Sequence, residues 1–369
     1  MEKYPNYEVE YTPFSYGDLQ QKIQTAIPIG QGCDILENWG DEMYGMINSG
    51  LIAPMDDTLA TTIKNNFWEG SYTSLLHSGK LYGFCQEIAF DNGLLINKKD
   101  YAAANLTKYP ETTAELFEQA KALTQVDAQG VITRAGLGWM YHDQTLANFC
   151  EGVVELGGNY WNSDQTQVTF QTPEAAAVLN TMFDMVNGQK ISSVEIDSGT
   201  REDLLYQDKV ALQKIGPWIM PTSQANYPDV GVDWIVGPGF TGKPRQAVNT
   251  GGWSIFVTTQ SAGKPGIWDF VGFKASEDVQ RDFISRTGLV PAMKVLKDDP
   301  AVIEKQPQLK NVMPLVGKTF SMGPVFNASK FTLAVYNNFI PFLNKEKDVT
   351  AALAGAEKEI NTMLAEANK

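Results

Sequence analysis

Val210-Ala-Leu-Gln-Lys-Ile-Gly-Pro-Trp-Ile-Met220 is the stretch from which the rest of the chain can be read. Its apolar run has the length of a buried strand. Gly216-Pro217 stops that strand, because proline lacks the N–H that a ladder needs. Trp218 follows at once and stands where the chain turns at the edge of a sheet. In open α/β sheets ligands bind beyond the carboxyl ends of strands, so the position suits a ligand contact. A core position suits a tryptophan equally well on this stretch alone.

With 369 residues the chain exceeds what one core sustains, and two domains are expected. Acidic residues outnumber basic ones by 43 to 29, a net charge of −14. That balance excludes a nucleic-acid partner and docking on an anionic membrane surface. No run of about 18 apolar residues exists to span a bilayer. Met1-Glu2-Lys3-Tyr4-Pro5 lacks the pattern of a secretory leader, as a trimmed start also would. Cys33, Cys85 and Cys150 are odd in number and far apart, which fits neither a disulfide framework nor a zinc site.

Along the chain, Tyr7–Tyr11 alternates as a strand does, and Asp18–Ile29 reads as a helix stopped at Gly30. Asp34-Ile-Leu36 reads as a short strand, 37–41 as a loop and Met43–Ser49 as a helix. Trp68–Phe84 is broken by glycines. Glu87 opens an apolar stretch reaching Ile96. Thr112 with Glu115 forms a capping box, and Thr172-Pro173 starts a further helix. Strands are expected at Val232–Val236 and Ile255–Val257, two helices before Gly288, and a last helix over Asp348–Leu364. Helix and strand alternate over most of the length, so the class is α/β.

Signatures of chemistry are missing. There is no Gly-x-Ser-x-Gly elbow. Gly239–Pro244 is too short for a phosphate loop, and Gly30-x-Gly32 precedes a strand rather than following one. His77 and His142 are the only histidines and have no metal-ligand spacing. No cofactor, metal ligand or catalytic residue is therefore assigned. Asp41 and Glu87 leave open a glycan-active enzyme working with two carboxylates. What the loops and strand ends do hold is aromatic rings (Trp39, Trp139, Tyr141, Trp218, Trp253) beside polar groups (Asn38, Asp41, Glu87, Asp143, Asn249). A sugar needs that mixture: its C–H faces stack on rings, and its hydroxyls take planar donors and acceptors.

These residues also carry a resemblance. Tyr4–Val9, the Asp34-Ile-Leu36 to Ser49-Gly50-Leu51 segment, Tyr82-Gly83 with Glu87 and Leu95–Lys98, Gly216-Pro217-Trp218, Gly251–Ser254 and Thr287–Pro291 together resemble the solute-binding proteins of carbohydrate ABC importers, the maltose-binding-protein-like group. The resemblance covers almost the whole chain. It implies a two-lobed periplasmic-binding-protein fold of type II, with a hinge of two or three crossings. Carried over, the first lobe is 1–86 plus 254–302 and the second 87–253 plus 303–369. The ligand-binding set it implies is Asn38, Trp39, Asp41, Glu87, Trp139, Tyr141, Asp143, Trp218, Gly252, Trp253 and Phe331. The implied partners are a di- or oligosaccharide and a membrane permease, and the implied location is outside the cytoplasm, in the periplasm or as a cell-surface lipoprotein. A non-sugar solute such as a polyamine is the remaining alternative. The chain departs from the family pattern at its start, where a central first-lobe strand is expected before Tyr4-Pro5-Asn6. The expectation is a piece of a longer precursor that carries the signal and anchor, and a monomer unless that strand comes from another chain.

Overall fold

A computed structural model describes residues 7–90, 93–139, 144–197, 203–239, 248–249, 252–318, 320–323 and 328–367. Twelve strands build the two main sheets and the crossings between them: β1 (Ile35–Trp39), β2 (Gly83–Cys85), β3 (Glu87–Ile88), β4 (Leu94–Asn97), β5 (Gln125–Val126), β6 (Ile132–Gly138), β7 (Val210–Lys214), β8 (Val232–Ile235), β9 (Val248–Asn249), β10 (Trp253–Val257), β11 (Val290–Pro291) and β12 (Phe320–Ser321). The described helices of eight residues or more are α1 (Tyr16–Ala26), α2 (Asp57–Asn66), α3 (Thr113–Leu123), α4 (Thr145–Glu155), α5 (Pro173–Phe183), α6 (Ile219–Asn226), α7 (Ile267–Lys274), α8 (Glu277–Thr287), α9 (Ala328–Leu343) and α10 (Val349–Ala367).

The first lobe is built on an antiparallel sheet of order β1-β10-β2. β10 lies between two partners, and Ser254 to Val257 are buried. β1 alternates, with Leu36 and Asn38 buried and Ile35, Glu37 and Trp39 half-buried, as one covered face requires. Phe67, Phe84 and Phe256 fill the core, the first two edge to face at 5.6 Å. The second lobe is built on a five-stranded sheet of order β8-β4-β7-β6-β5. Only β6 and β7 run parallel in it. β7, the strand read first from the sequence, is central and wholly buried. Behind that sheet α4, α5, α9 and α10 share a core in which Phe149 meets Phe170 and Phe339 at 5.0 and 4.9 Å.

The chain passes between the lobes three times: between β2 and β4, between β8 and β10, and between β11 and α9. Short pairs mark the crossings: Glu87 opposite Pro291 in antiparallel β3–β11, and Val248 opposite Phe320 in parallel β9–β12.

Several local expectations hold. Thr112 and Glu115 form the reciprocal capping box of α3, Thr172 caps α5 with Pro173 in its first turn, and Gly288 ends α8 in the left-handed conformation. Others do not. Tyr7–Tyr11 is exposed and outside any strand, with Tyr11 76% accessible. Alternation alone does not make a strand without an edge to pair with, and β1 pairs only with β10 among the described residues. The loop expected over 37–41 is instead the end of β1 followed by a 3₁₀ turn at Gly40–Met43. The expected lobe boundary at 302 falls inside the helix Pro300–Lys305. Just after it, Gln306 Nε2 donates to Ser285 O of α8 at 3.0 Å, and Leu309, Val312 and Val316 are buried in the same core cluster as Phe256. That cluster also takes in Leu95, Val210 and Trp234 of the second sheet, so it spans both lobes.

Gly136 of β6 lies flat against α3. A Cβ there would run into the carbonyl oxygen of Ala120 and sit 2.7 Å from Thr124 Oγ1, which accepts the Gly136 N–H. Gly136→Ala should therefore lower unfolding free energy by about 2 kcal/mol or more. Thr112→Ala, which removes only the cap, should cost about 1 kcal/mol. Urea denaturation of both variants tests the ranking, and equal losses would contradict it.

Candidate functional site

β1 and β10 bring distant residues into one cluster at the hinge. Their register sets Trp39 opposite Trp253 and Asn38 opposite Ser254. The two indoles meet edge to face, centroids 6.0 Å apart and planes at 87°. Both are half-buried, and neither belongs to a core cluster. Gly252 precedes Trp253 at a positive φ of 56°, a conformation that favours glycine. A Cβ on it would come within 2.5 Å of the Glu87 carbonyl oxygen, so position 252 is closed to larger residues. Its own carbonyl accepts from Gly40 N at 3.0 Å, which fixes the turn carrying Asp41.

Asp41 is 4% exposed, and neither carboxylate oxygen has a hydrogen-bond partner among the described residues. Burial pushes its pKa well above the usual carboxylate range, and the Glu42 charge pushes the same way. Only the Ser74 hydroxyl, itself without a partner of hydrogen-bonding geometry, works in the other direction. Across the seam is Tyr160 of the second lobe, whose phenol burial drives up most, with the Cys150 and Asp41 charges adding.

Two further residues of the expected set, Asn38 of the first lobe and Glu87 at the first crossing, are held by the protein. Asn38 is fully buried; its Oδ1 accepts from Gln20 Nε2 at 2.8 Å, and its Nδ2 faces Met43 Sδ at 3.1 Å. Glu87 is 2% exposed, and its Oε1 accepts the Trp253 N–H at 3.2 Å. In the second lobe Trp218 is half-buried at the start of α6, its ring folded over Gly216, so that glycine cannot bear a Cβ. Pro221 of the same helix comes close to Gly288 of the first lobe. Tyr141 and Asp143 lie outside the described residues.

Trp139 and Phe331 are inside the second core, 6% and 2% exposed, rather than on a cleft wall. Trp139 follows β6, and its partner comes from the neighbouring β7: Lys214 Nζ sits 4.1 Å from the ring centroid. The same ammonium donates to Asn148 Oδ1 at 2.8 Å and lies 3.4 Å from Glu151 Oε2. Lys214 and Glu151 are 3% and 0% exposed. Asn148 Nδ2 closes the arrangement by donating to the Trp139 carbonyl at 2.8 Å. A lysine inside an apolar strand is visible in the sequence; its carboxylate partner, on a helix 63 residues earlier, is not.

Two outcomes follow from these charges. Below the ordinary carboxylate range Asp41 is neutral in both folded and unfolded chains. Above it the unfolded chain ionises first, so wild-type stability should fall relative to Asp41→Asn by up to about 1.4 kcal/mol per pH unit, until the raised folded pKa is passed. Thermal melts of both proteins from pH 4 to 8 test this, and parallel profiles would refute it. Lys214→Met, which takes the ammonium away from a buried carboxylate, should cost about 3–5 kcal/mol, and Glu151→Leu added to it should restore most of the loss. Denaturant titration of the single and double variants measures both numbers.

Comparison with known proteins bears on the family and the fold. The sequence model of the bacterial extracellular solute-binding proteins matches residues 1–281. The maltotriose-binding protein of Pyrococcus abyssi is 23% identical over 299 residues, which are 77% of this chain and 60% of that protein. The matched region thus spans about three-fifths of the length of that relative. Among solved structures, the substrate-binding protein Lmo0181 of Listeria monocytogenes in complex with cycloalternan superposes with a TM-score of 0.82 at 19% identity, over 99% of this chain and 93% of that one. The maltose-bound MalE3 of T. maritima gives 0.80 at 20% identity, over 98% and 93%. At such identities the structures establish the two-lobed fold, and the family match extends over three-quarters of the sequence. The chain belongs to the bacterial extracellular solute-binding protein family.

Proposed function

We propose that the chain binds a neutral di- or oligosaccharide between its lobes and delivers it to the membrane permease of an ABC importer. The observation that carries this reading is the Trp39–Trp253 pair, half-buried, outside both cores and beside the buried Asp41 carboxylate. Ring faces at such a place offer apolar platforms, and a carboxylate short of donors suits sugar hydroxyls. One well-covered ring contributes a few kcal/mol from about 150–250 Å² at about 25 cal/mol per Å². A hydroxyl bonded to a carboxylate adds about 1.5–3 kcal/mol. Two rings and a few such bonds reach roughly micromolar affinity once the ordering costs are met.

The binding residues in this reading are Trp39, Asp41 and Trp253 from the first lobe and hinge, and Trp218 from the second. Gly252 and Glu87 hold Trp253 in place, and Asn38 and Trp139 brace the strand ends behind. Phe331 supports the second-lobe side from the core. Relatives that carry maltose, maltotriose or cycloalternan in their names support an α-glucan as the first class to try. The family is of extracellular binding proteins, and no described helix is long and apolar enough to cross a membrane. The proposed place of action is outside the cytoplasmic membrane, as a monomer. Hydrolysis with Asp41 and Glu87 as the carboxylate pair is the weaker reading, because Glu87 is buried and engaged by a backbone N–H.

Maltotriose should raise the melting temperature, since a ligand bound only by the native state stabilises it. It should also be recovered intact after incubation; released glucose or maltose would support the enzyme instead. Trp218→Ala should weaken the best ligand of a mono- and oligosaccharide panel by about 2 kcal/mol or more in calorimetry. A loss below about 0.5 kcal/mol with an unchanged melting temperature would remove Trp218 from the site.

A further inference from the structure

Asp41 has a neighbour, Glu42, that does something different. The 3₁₀ turn Gly40–Met43 is fixed to the first lobe: Met43 is fully buried, and Gly40 N is bonded to Gly252 O. Glu42 projects from this turn across the seam. Its Oε1 accepts both the backbone N–H and the hydroxyl of Ser329, each at 2.9 Å, over a sequence separation of 287. Ser329 is the second residue of α9, a helix of 16 residues. The first N–H groups of a helix have no partner within it and carry partial positive charge, so a carboxylate there gains both hydrogen bonds and the favourable end of the dipole. Phe331, Val335 and Phe339 of α9 are buried in the second core, so the helix moves with the second lobe. The contact joins a turn of the first lobe to a helix packed in the second.

We propose that Glu42 is a positioning residue, an interlobe latch that caps α9 on closure and so carries Asp41 into the seam, where a ligand's hydroxyls supply the donors its carboxylate lacks. The two adjacent carboxylates divide the work. The Glu42 requirement is met by the protein itself, and the Asp41 requirement largely by the ligand, so closure with ligand is complete and closure without it leaves a buried carboxyl group that has, among the described residues, no donor of hydrogen-bonding geometry and only the Ser74 hydroxyl near it. The second half of this statement rests on the sugar-binding reading; the latch does not.

The test separates the two. Spin labels at Asn66→Cys in the first lobe and Lys121→Cys in the second, both exposed positions, in a Cys33→Ser background, report the interlobe distance by pulsed electron resonance. Without any sugar, the parent should show a short-distance population. Glu42→Ala should reduce its ratio to the long-distance one roughly two- to fivefold. Glu42→Gln, which keeps an acceptor and loses the charge, should fall between them. Ser329→Ala added to Glu42→Ala should change nothing further, and melting temperatures confirm folded samples. A parent with no short-distance population, or variants indistinguishable from it, or additive losses in the double variant would overturn the latch. A second series with saturating maltotriose should enlarge the short-distance population in the parent and less so in Asp41→Asn. If maltotriose changes neither, the sugar reading fails while the latch result stands.

Discussion

The backbone ladder between β1 and β10 is the constraint on which the site depends. Five consecutive Cα pairs, Ile35–Val257 through Trp39–Trp253, bring together segments more than 200 residues apart. A slip of one residue would turn each side chain to the opposite face, burying the rings and exposing Leu36 and Asn38. The register is held at its open end by Gly252, whose positive φ lets its carbonyl reach Gly40 N while its bare Cα passes the Glu87 carbonyl. Glu87 in turn bonds the Trp253 N–H. First crossing, second crossing and strand end are thus tied at one point. Two tryptophans are left outside the core because the residues between and behind them are already committed.

The second lobe fixes its strand ends differently. β6 and β7 are parallel, so both end at the same edge, and Trp139 and Lys214 arrive there side by side. Lys214 is taken out of water by α4 and compensated by Asn148, Glu151 and the Trp139 ring. Such a buried pair adds little net stability over an apolar substitute, yet it is costly to break. It fixes the strand ends, and Trp218 follows the end of β7 after Ile215, Gly216 and Pro217.

Between the lobes the balance is electrostatic. Two neighbouring carboxylates stand on one 3₁₀ turn; among the described residues Glu42 accepts two hydrogen bonds from Ser329, and Asp41 has only the Ser74 hydroxyl near it, without hydrogen-bonding geometry. Closure of a two-lobed binding protein is a population shift, and a ligand moves it only by interacting better with one state than the other. In the proposed sugar-binding reading, an Asp41 carboxyl that is costly to bury without ligand and bonded by ligand hydroxyls would supply that difference in a single group.

Much of this was readable in the residues. The buried strand over Val210–Lys214, its stop at Gly216-Pro217, the Thr112/Glu115 box, the Thr172-Pro173 start and the Gly288 end each depend on neighbours within four or five positions, and local chemistry decides them. The α/β class follows from their alternation, and Trp39, Asp41, Trp218 and Trp253 stand out as strand-end residues. The tertiary structure decided which polar and aromatic groups are free to serve. Asn38 is taken by Gln20, Glu87 by the Trp253 backbone, and Trp139 by Lys214, through contacts between 18 and 166 residues long. It also placed Phe331 in a core and Glu42 on α9. Turns, caps and strand length are set by interactions along the chain, which the sequence alone records. Burial and pairing are set by what the folded chain brings from far away, because a hydrogen-bonding group has few partners to give and the fold allots them.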